Sequence, residues 1–166
     1  MLSVSCSKAV SPVDSALDKQ ILHFGNGSEP QGLDPHIVTG VPEHHLLIAM
    51  CEGLTIANPR GGENLPGMAK SWTISPDGKT YTFFLQEDAK WSNGDRLTAS
   101  DFVWSWMRIL TPSLGSQYPD MLYYVKGAPE YHQGLTDDFS SVGVTAVNDY
   151  ELKVELTNAT PFFIKL

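Results

Sequence analysis

The clearest hydrophobic period in this chain lies between residues 98 and 112. Phe102, Val103, Trp106, Ile109 and Leu110 form the apolar stripe of an amphipathic helix, with Trp104 off it. Thr98 can cap a free backbone N–H, Asp101 complements the positive end of the helix dipole, and Pro112 stops the helix. On either side the pattern turns to strands. Residues 71–74 and 80–85 are β-rich runs separated by Ser75-Pro76-Asp77-Gly78. There Pro presets one turn position and Gly accepts a positive φ, which predicts a hairpin. Trp91-Ser92-Asn93-Gly94-Asp95 is a turn of the same kind. Residues 142–147 and 150–156 predict a second hairpin around Asn148-Asp149, with Leu152, Val154 and Leu156 on one face.

The first third of the chain is less regular. Residues 1–19 read as a tail rich in serine, and residues 20–25, with Ile21, Leu22 and Phe24, as a first strand. Asn26-Gly27-Ser28 and Leu33-Asp34-Pro35 interrupt it, the latter because a residue before proline is driven out of the helical region. Pro42 and Glu43 open a helix that carries Leu46, Leu47 and Met50 and is expected to end near Gly53. Leu54-Thr55-Ile56 predicts a short strand, followed by a glycine-rich loop over residues 58–63. Residues 113–142 are mixed, with Tyr118, Tyr123, Tyr124 and Tyr131 among glycines, prolines and serines. The apolar run Pro161-Phe162-Phe163-Ile164-Lys165-Leu166 stops without anything to pack on, so the chain is expected to be truncated.

Charge and composition narrow the function. The 166 residues are 42% hydrophobic, enough for a core of their own. A net charge of −8, with lysine and arginine scattered, argues against a nucleic-acid binder and does not point to an anionic membrane surface. No stretch approaches the roughly 18–20 apolar residues of a membrane-spanning helix. Cys51 follows an apolar run and reads as a buried small hydrophobe, while Cys6 lies in the polar tail, so no disulfide is expected. His36, His44, His45 and Cys51 lack metal-ligand spacing, and the adjacent His44 and His45 point to different helix faces. The acidic pairs Glu87/Asp88 and Asp137/Asp138 sit side by side on loops, and no nucleophile stands beside an obvious base. The chain therefore reads as a non-enzyme without metal or cofactor. Trp72, Trp91, Trp104 and Trp106 read as packing residues.

Four ordered motifs carry a resemblance. They are Pro66-Gly67-Met68-Ala69-Lys70-Ser71-Trp72, Ser75-Pro76-Asp77-Gly78-Lys79-Thr80-Tyr81-Thr82-Phe83, Ala89-Lys90-Trp91-Ser92-Asn93-Gly94, and the run from Leu97 through Arg108. Together they resemble the signature region of the family-5 solute-binding proteins, which serve importers of oligopeptides, dipeptides, nickel chelates and other solutes. Asn26 through His36 with Gly40-Val41-Pro42-Glu43, and Gly143-Val144-Thr145-Ala146-Val147 with Pro161-Phe162-Phe163, resemble the oligopeptide-binding branch in particular.

The resemblance implies an α/β fold of the periplasmic-binding-protein type II kind, with mixed sheets, of which this chain is a part. Residues 1–19 would be a flexible tail or lipoprotein tether and residues 20–53 the start of the first lobe. Residues 54–166 would form an extra α/β domain and begin the return to that lobe. It implies the substrate-binding component of an ABC-type oligopeptide importer, extracytoplasmic, monomeric, and partnered by the importer's membrane subunits. In the branch, a peptide lies extended between two lobes and pairs through its main chain, which gives affinity without demanding particular side chains. By register, the pairing segment falls on Thr39, Gly40 and Val41, and a peptide-contacting tyrosine on Tyr118. Gly40 would let another backbone approach closely. Ser3-Val4-Ser5-Cys6 partly matches a lipobox, so either Cys6 carries a lipid and Met1 is a late start within a signal peptide, or Cys6 is incidental. The alternatives are a receptor of the same family for dipeptides, nickel chelates or other solutes, or a fragment without function of its own. A single side of such a cleft is expected to bind no peptide at sub-millimolar concentration, because association alone costs several kcal/mol.

Overall fold

The computed structural model describes residues 11, 16 and 19–166. The centre of the molecule is a four-stranded antiparallel sheet in the order β3-β4-β6-β5, made of β3 (Ala69–Ile74), β4 (Thr80–Leu85), β5 (Val144–Asn148) and β6 (Glu151–Glu155). The hairpin over Ser75-Pro76-Asp77-Gly78 forms as expected. Gly78 takes φ +69°, and its N–H donates to the Ser75 carbonyl at 2.8 Å. The Thr80 N–H donates to Ser75 Oγ at 2.9 Å.

Strand register makes one face of the sheet apolar. Trp72, Phe83, Leu152 and Ala146 form one cross-strand row, and Ile74, Tyr81, Val154 and Val144 the next. Phe83, Tyr81, Leu152 and Val154 are almost wholly buried, each contributing roughly 1.5–3 kcal/mol by leaving water. The opposite face carries Thr73, Thr82, Lys153 and Thr145 in a single row, the polar side of a sheet covered once. A bulge between Ala146 and Asn148 turns Val147 outward, where it is 52% exposed.

A helix covers the apolar face. It runs over Ala99–Leu110, here called α2, with Leu110 and Ala99 buried and Phe102, Val103, Trp106 and Ile109 packed on the core. Its start is tied twice. Asp101 Oδ2 accepts from the Thr98 N–H at 2.7 Å and the Thr98 hydroxyl at 3.0 Å, while the Ala99 N–H donates to the Asp149 carbonyl at 2.8 Å. The helix ends one residue before Thr111-Pro112. Trp72 and Trp106 pack as expected, whereas Trp91 and Trp104 are 50% and 58% exposed.

Between α2 and β5 the chain makes 3-10 turns at Pro112–Leu114, Pro119–Leu122 and Phe139–Ser141 and a short helix α3, Ala128–His132. A small antiparallel pair, β1 (Thr55–Ile56) with β2 (Leu65–Pro66), stands apart from the main sheet.

The region before β1 departs from expectation in three ways. Residues 20–25 form no strand, and Ile21, Leu22 and Phe24 are 51%, 87% and 62% exposed. A strand needs a ladder partner, and none among the described residues pairs with this stretch. The first complete helix, α1, spans Val41–Met50 and ends before Gly53, because Cys51 is already extended at φ −120° and ψ 150°. Cys51 itself is exposed, not buried. α1 is apolar around much of its girth, so the run that suggested a buried cysteine does not face this chain's core.

Candidate functional site

Thr39, Gly40, Val41 and Tyr118 line one depression of about 320 Å3, bordered also by Pro35, Val38, His44 and Leu47. Two separate elements bring them there. The segment 39–41 is the entry to α1, and Tyr118 stands at the head of the Pro119–Leu122 turn that follows α2. Val41 and Tyr118 are 66% and 54% exposed, so the depression is open to an incoming molecule.

The backbone is extended at Gly40, and several main-chain groups at Thr39 and Gly40 have no partner among the described residues. Gly40 has φ −82° and ψ 155°, in the β region. Its carbonyl accepts the first helical bond, from the His44 N–H at 3.0 Å. Among the described residues, no hydrogen bond engages the Gly40 N–H or either main-chain group of Thr39. Free N–H and C=O groups on extended chain are what another extended chain pairs with.

Gly40 is explained differently from the sequence reading. A Cβ there would overlap the Glu43 carboxylate, with Oε2 only 1.9 Å away. Glu43 is 4% exposed and its Oε1 accepts the Gln31 N–H at 2.6 Å, so the carboxylate cannot swing aside without breaking that bond. The glycine makes room for the chain's own glutamate. On the far side of the segment, Asn26 Nδ2 donates to the Pro42 carbonyl at 3.1 Å.

A polar cluster then ties the segment to α2. Arg108 Nη1 and Nη2 donate to Asp34 Oδ1 and Oδ2 at 2.9 and 2.5 Å, a two-pronged pairing. His36 lies between α2 residues, with Nδ1 2.7 Å from Arg108 Nη1 and Nε2 3.1 Å from Ser105 Oγ. The Arg108 hydrogen bonds hold the Asp34 carboxyl at about 2, below its ordinary 3.8, against the opposing effect of burial. Burial, with Arg108 adding to it, pushes His36 below its ordinary value, and Asp34 pulls the other way.

Sequence reasoning missed Asp34, His36, Ser105, Arg108 and Glu43 as parts of one arrangement. Asp34 and Arg108 are 74 residues apart, and polar pairs at that distance leave no periodic trace. The signal that existed was the Leu33-Asp34-Pro35 turn, read as an interruption and as a register mark but not as an anchor to the helix.

A second hollow of about 480 Å3 shares Pro35 and Tyr118 with the first and is walled by Phe102, Trp106, Phe163 and Leu166. It is predominantly apolar. Among the described residues, no group of three His, Cys, Asp or Glu is placed to hold a metal ion, and no helix is long and apolar enough to cross a membrane. Cys6 lies outside the described residues.

Comparison with known proteins identifies the family. Residues 64–166 match the family described as bacterial extracellular solute-binding proteins, family 5 Middle. The chain is 40% identical over 166 residues to the periplasmic oligopeptide-binding protein OppA of Haemophilus influenzae, covering 98% of the chain and 30% of that protein. It is 42% identical over 151 residues to the Escherichia coli protein of the same name, covering 90% of the chain and 27% of the relative. The chain thus spans less than a third of the length of these relatives. A crystal structure of the Haemophilus influenzae protein in complex with RPPGFSPFR superposes with a TM-score of 0.78 at 41% identity, over 84% of this chain and 27% of that one. The mixed α/β architecture is that of the periplasmic-binding-protein type II fold, as expected. On sequence and fold together, the chain belongs to the family-5 bacterial extracellular solute-binding proteins.

Proposed function

We propose that this chain forms part of one side of the peptide cleft in the substrate-binding component of an ABC-type oligopeptide importer. Residues 39–41 pair with the main chain of an extended peptide, and Tyr118 lays its ring along it. The observation that carries this reading is the free main-chain groups of Thr39 and the free N–H of the extended Gly40 beside an exposed tyrosine in one open depression. Main-chain pairing accepts many side-chain sequences, and the tyrosine offers an apolar face with a polar tip.

In this reading the protein works outside the cytoplasm, as a monomer, and delivers its ligand to the importer's membrane subunits. It is a binder rather than an enzyme. Residues 20–53 begin the first lobe and residues 54–166 form the extra domain packed on it. Cys6, if lipidated, would tether the receptor to the membrane.

The test is calorimetric titration of a complete receptor carrying residues 20–166 with short peptides of unrelated sequence, and with dipeptides and nickel chelates as rivals. Saturable binding of several unrelated peptides is expected. Binding of a nickel chelate or dipeptide alone would replace the oligopeptide assignment with another branch of the family. The 166-residue chain by itself is expected to show no sub-millimolar binding, since it presents one set of partners against the full cost of association.

A further inference from the structure

The polar cluster joining residues 34–36 to α2 has a protonation state fixed by its geometry. A guanidinium carries five N–H donors and no acceptor. Arg108 Nη1 lies 2.7 Å from His36 Nδ1, so Nδ1 must present its lone pair. The ring proton therefore sits on Nε2 and points at Ser105 Oγ, 3.1 Å away, and the imidazole is neutral. A second proton, on Nδ1, would set N–H against N–H and a cation beside a cation.

Little slack separates this cluster from the depression. The Asp34 carbonyl accepts from the Ile37 and Val38 N–H groups, both at 3.1 Å, and Asp34 Oδ1 accepts from the His36 N–H at 3.0 Å. Residues 34–38 are thus one closed turn, and Thr39 follows directly.

We propose that Arg108 is a positioning residue for the peptide-pairing segment. Through Asp34 and a neutral His36 it holds Thr39-Gly40-Val41 beside Tyr118, and protonation of His36 lets the segment go. The functional half rests on the reading of residues 39–41 as the pairing segment; the structural half does not.

The groups facing His36 are few. Arg108 and Ser105 come from α2 and Asp34 from its own segment, and the hollow it borders has Tyr118 as its other titratable side chain. The docked segment lowers the proton affinity of His36, so docking is favoured above its ordinary value of 6.5 and weakens as pH falls through the lower docked value.

The experiment is residue-resolved amide hydrogen exchange on the 166-residue chain, corrected for intrinsic rates, at about pH 7.5, 6.5 and 5.5, spanning the ordinary histidine range. Protection at Ile37 and Val38 is expected to fall with pH while Leu152 and Val154 in the sheet keep theirs. H36Q, which cannot gain a proton, should flatten that profile. R108M should lower Ile37 and Val38 protection by at least roughly tenfold at about pH 7.5, from the loss of its bonds to Asp34 and His36, and by less at about pH 5.5, where the wild type has already let go. R108K, which keeps the charge but loses the fork, should fall between.

A wild-type profile that is flat with pH, or R108M with unchanged protection at Ile37 and Val38, would overturn the proposal whether or not peptides bind. In a complete receptor, R108M should weaken peptide binding by about tenfold, because the pairing segment is no longer held in place. Unchanged affinity would overturn its functional half. A wild-type receptor that bound no peptide would sink the site reading itself, leaving the exchange profile to decide the latch.

Discussion

The two ends of this molecule are held together by different physics. From β3 to Phe163, apolar side chains of four strands, α2 and the connecting turns meet in one buried cluster. Between residues 21 and 63, Glu43 is the only buried residue. Before Gly53, that region is tied down largely by polar bonds, among them Asn26 to the Pro42 carbonyl, the Gln31 N–H to Glu43, and the Asp34–Arg108–His36–Ser105 cluster. Apolar burial is non-directional and cooperative, whereas a handful of directional bonds can be broken one at a time. The candidate binding segment lies in the second region and the rigid platform in the first. A receptor that must admit and release ligands benefits from that division.

The largest effect should come from the first region. Phe83→Ala removes a buried ring from the centre of the sheet and is expected to cost about 3–5 kcal/mol in denaturant unfolding of the chain. A loss below about 1 kcal/mol, the scale of a surface change, would show that the sheet is not the stabilising unit.

Glu43→Ala acts in the second region, leaving the Gln31 N–H without its acceptor. It should cost locally about 1–3 kcal/mol, seen as faster exchange at Gln31 and His44, with the sheet amides unaffected. Equal loss of protection in the sheet would merge the two regions into one cooperative unit.

Tyr118→Ala should leave unfolding nearly unchanged, because the ring is 54% exposed. In a complete receptor it should weaken peptide binding by roughly tenfold, the loss of one aromatic contact. A large drop in stability with intact binding would reassign Tyr118 to packing.

Acid should discriminate most finely. The Asp34 carboxyl titrates at about 2, so its pairing with Arg108 helps the docked segment above the ordinary value of 3.8 and is lost as pH falls towards 2. In H36Q, where the segment stays docked in acid, a carbon-13 titration of the Asp34 carboxyl should show that low midpoint, and adding R108M should return it towards 3.8. The same midpoint in both would remove Arg108 as the cause.

What could be read from the residues follows the same divide. The two hairpins, α2 with its Thr98 and Asp101 start, and the stop at Pro112 were legible because turn chemistry and apolar period act locally. The expected strand at 20–25 failed because its apolar content looks like a strand's, yet a strand exists only with a partner. Gly40 was singled out for its missing side chain, and the structure adds a local reason for it in Glu43, three residues on, whose carboxylate fills the space a Cβ would take. The Asp34–Arg108 pairing joins residues far apart in the chain, and nothing in either neighbourhood announces the other.

The central claim is that the main chain of residues 39–41 pairs with the main chain of a peptide. It is tested most directly by N-methyl scanning of a bound peptide in a complete receptor, with affinity measured by calorimetry. The account predicts that methylating the peptide nitrogen that faces the free Thr39 carbonyl weakens binding about tenfold, while exchanging side chains at the same position changes it less. Affinity that tolerates every N-methyl group but follows side-chain identity would contradict main-chain pairing and require a different site.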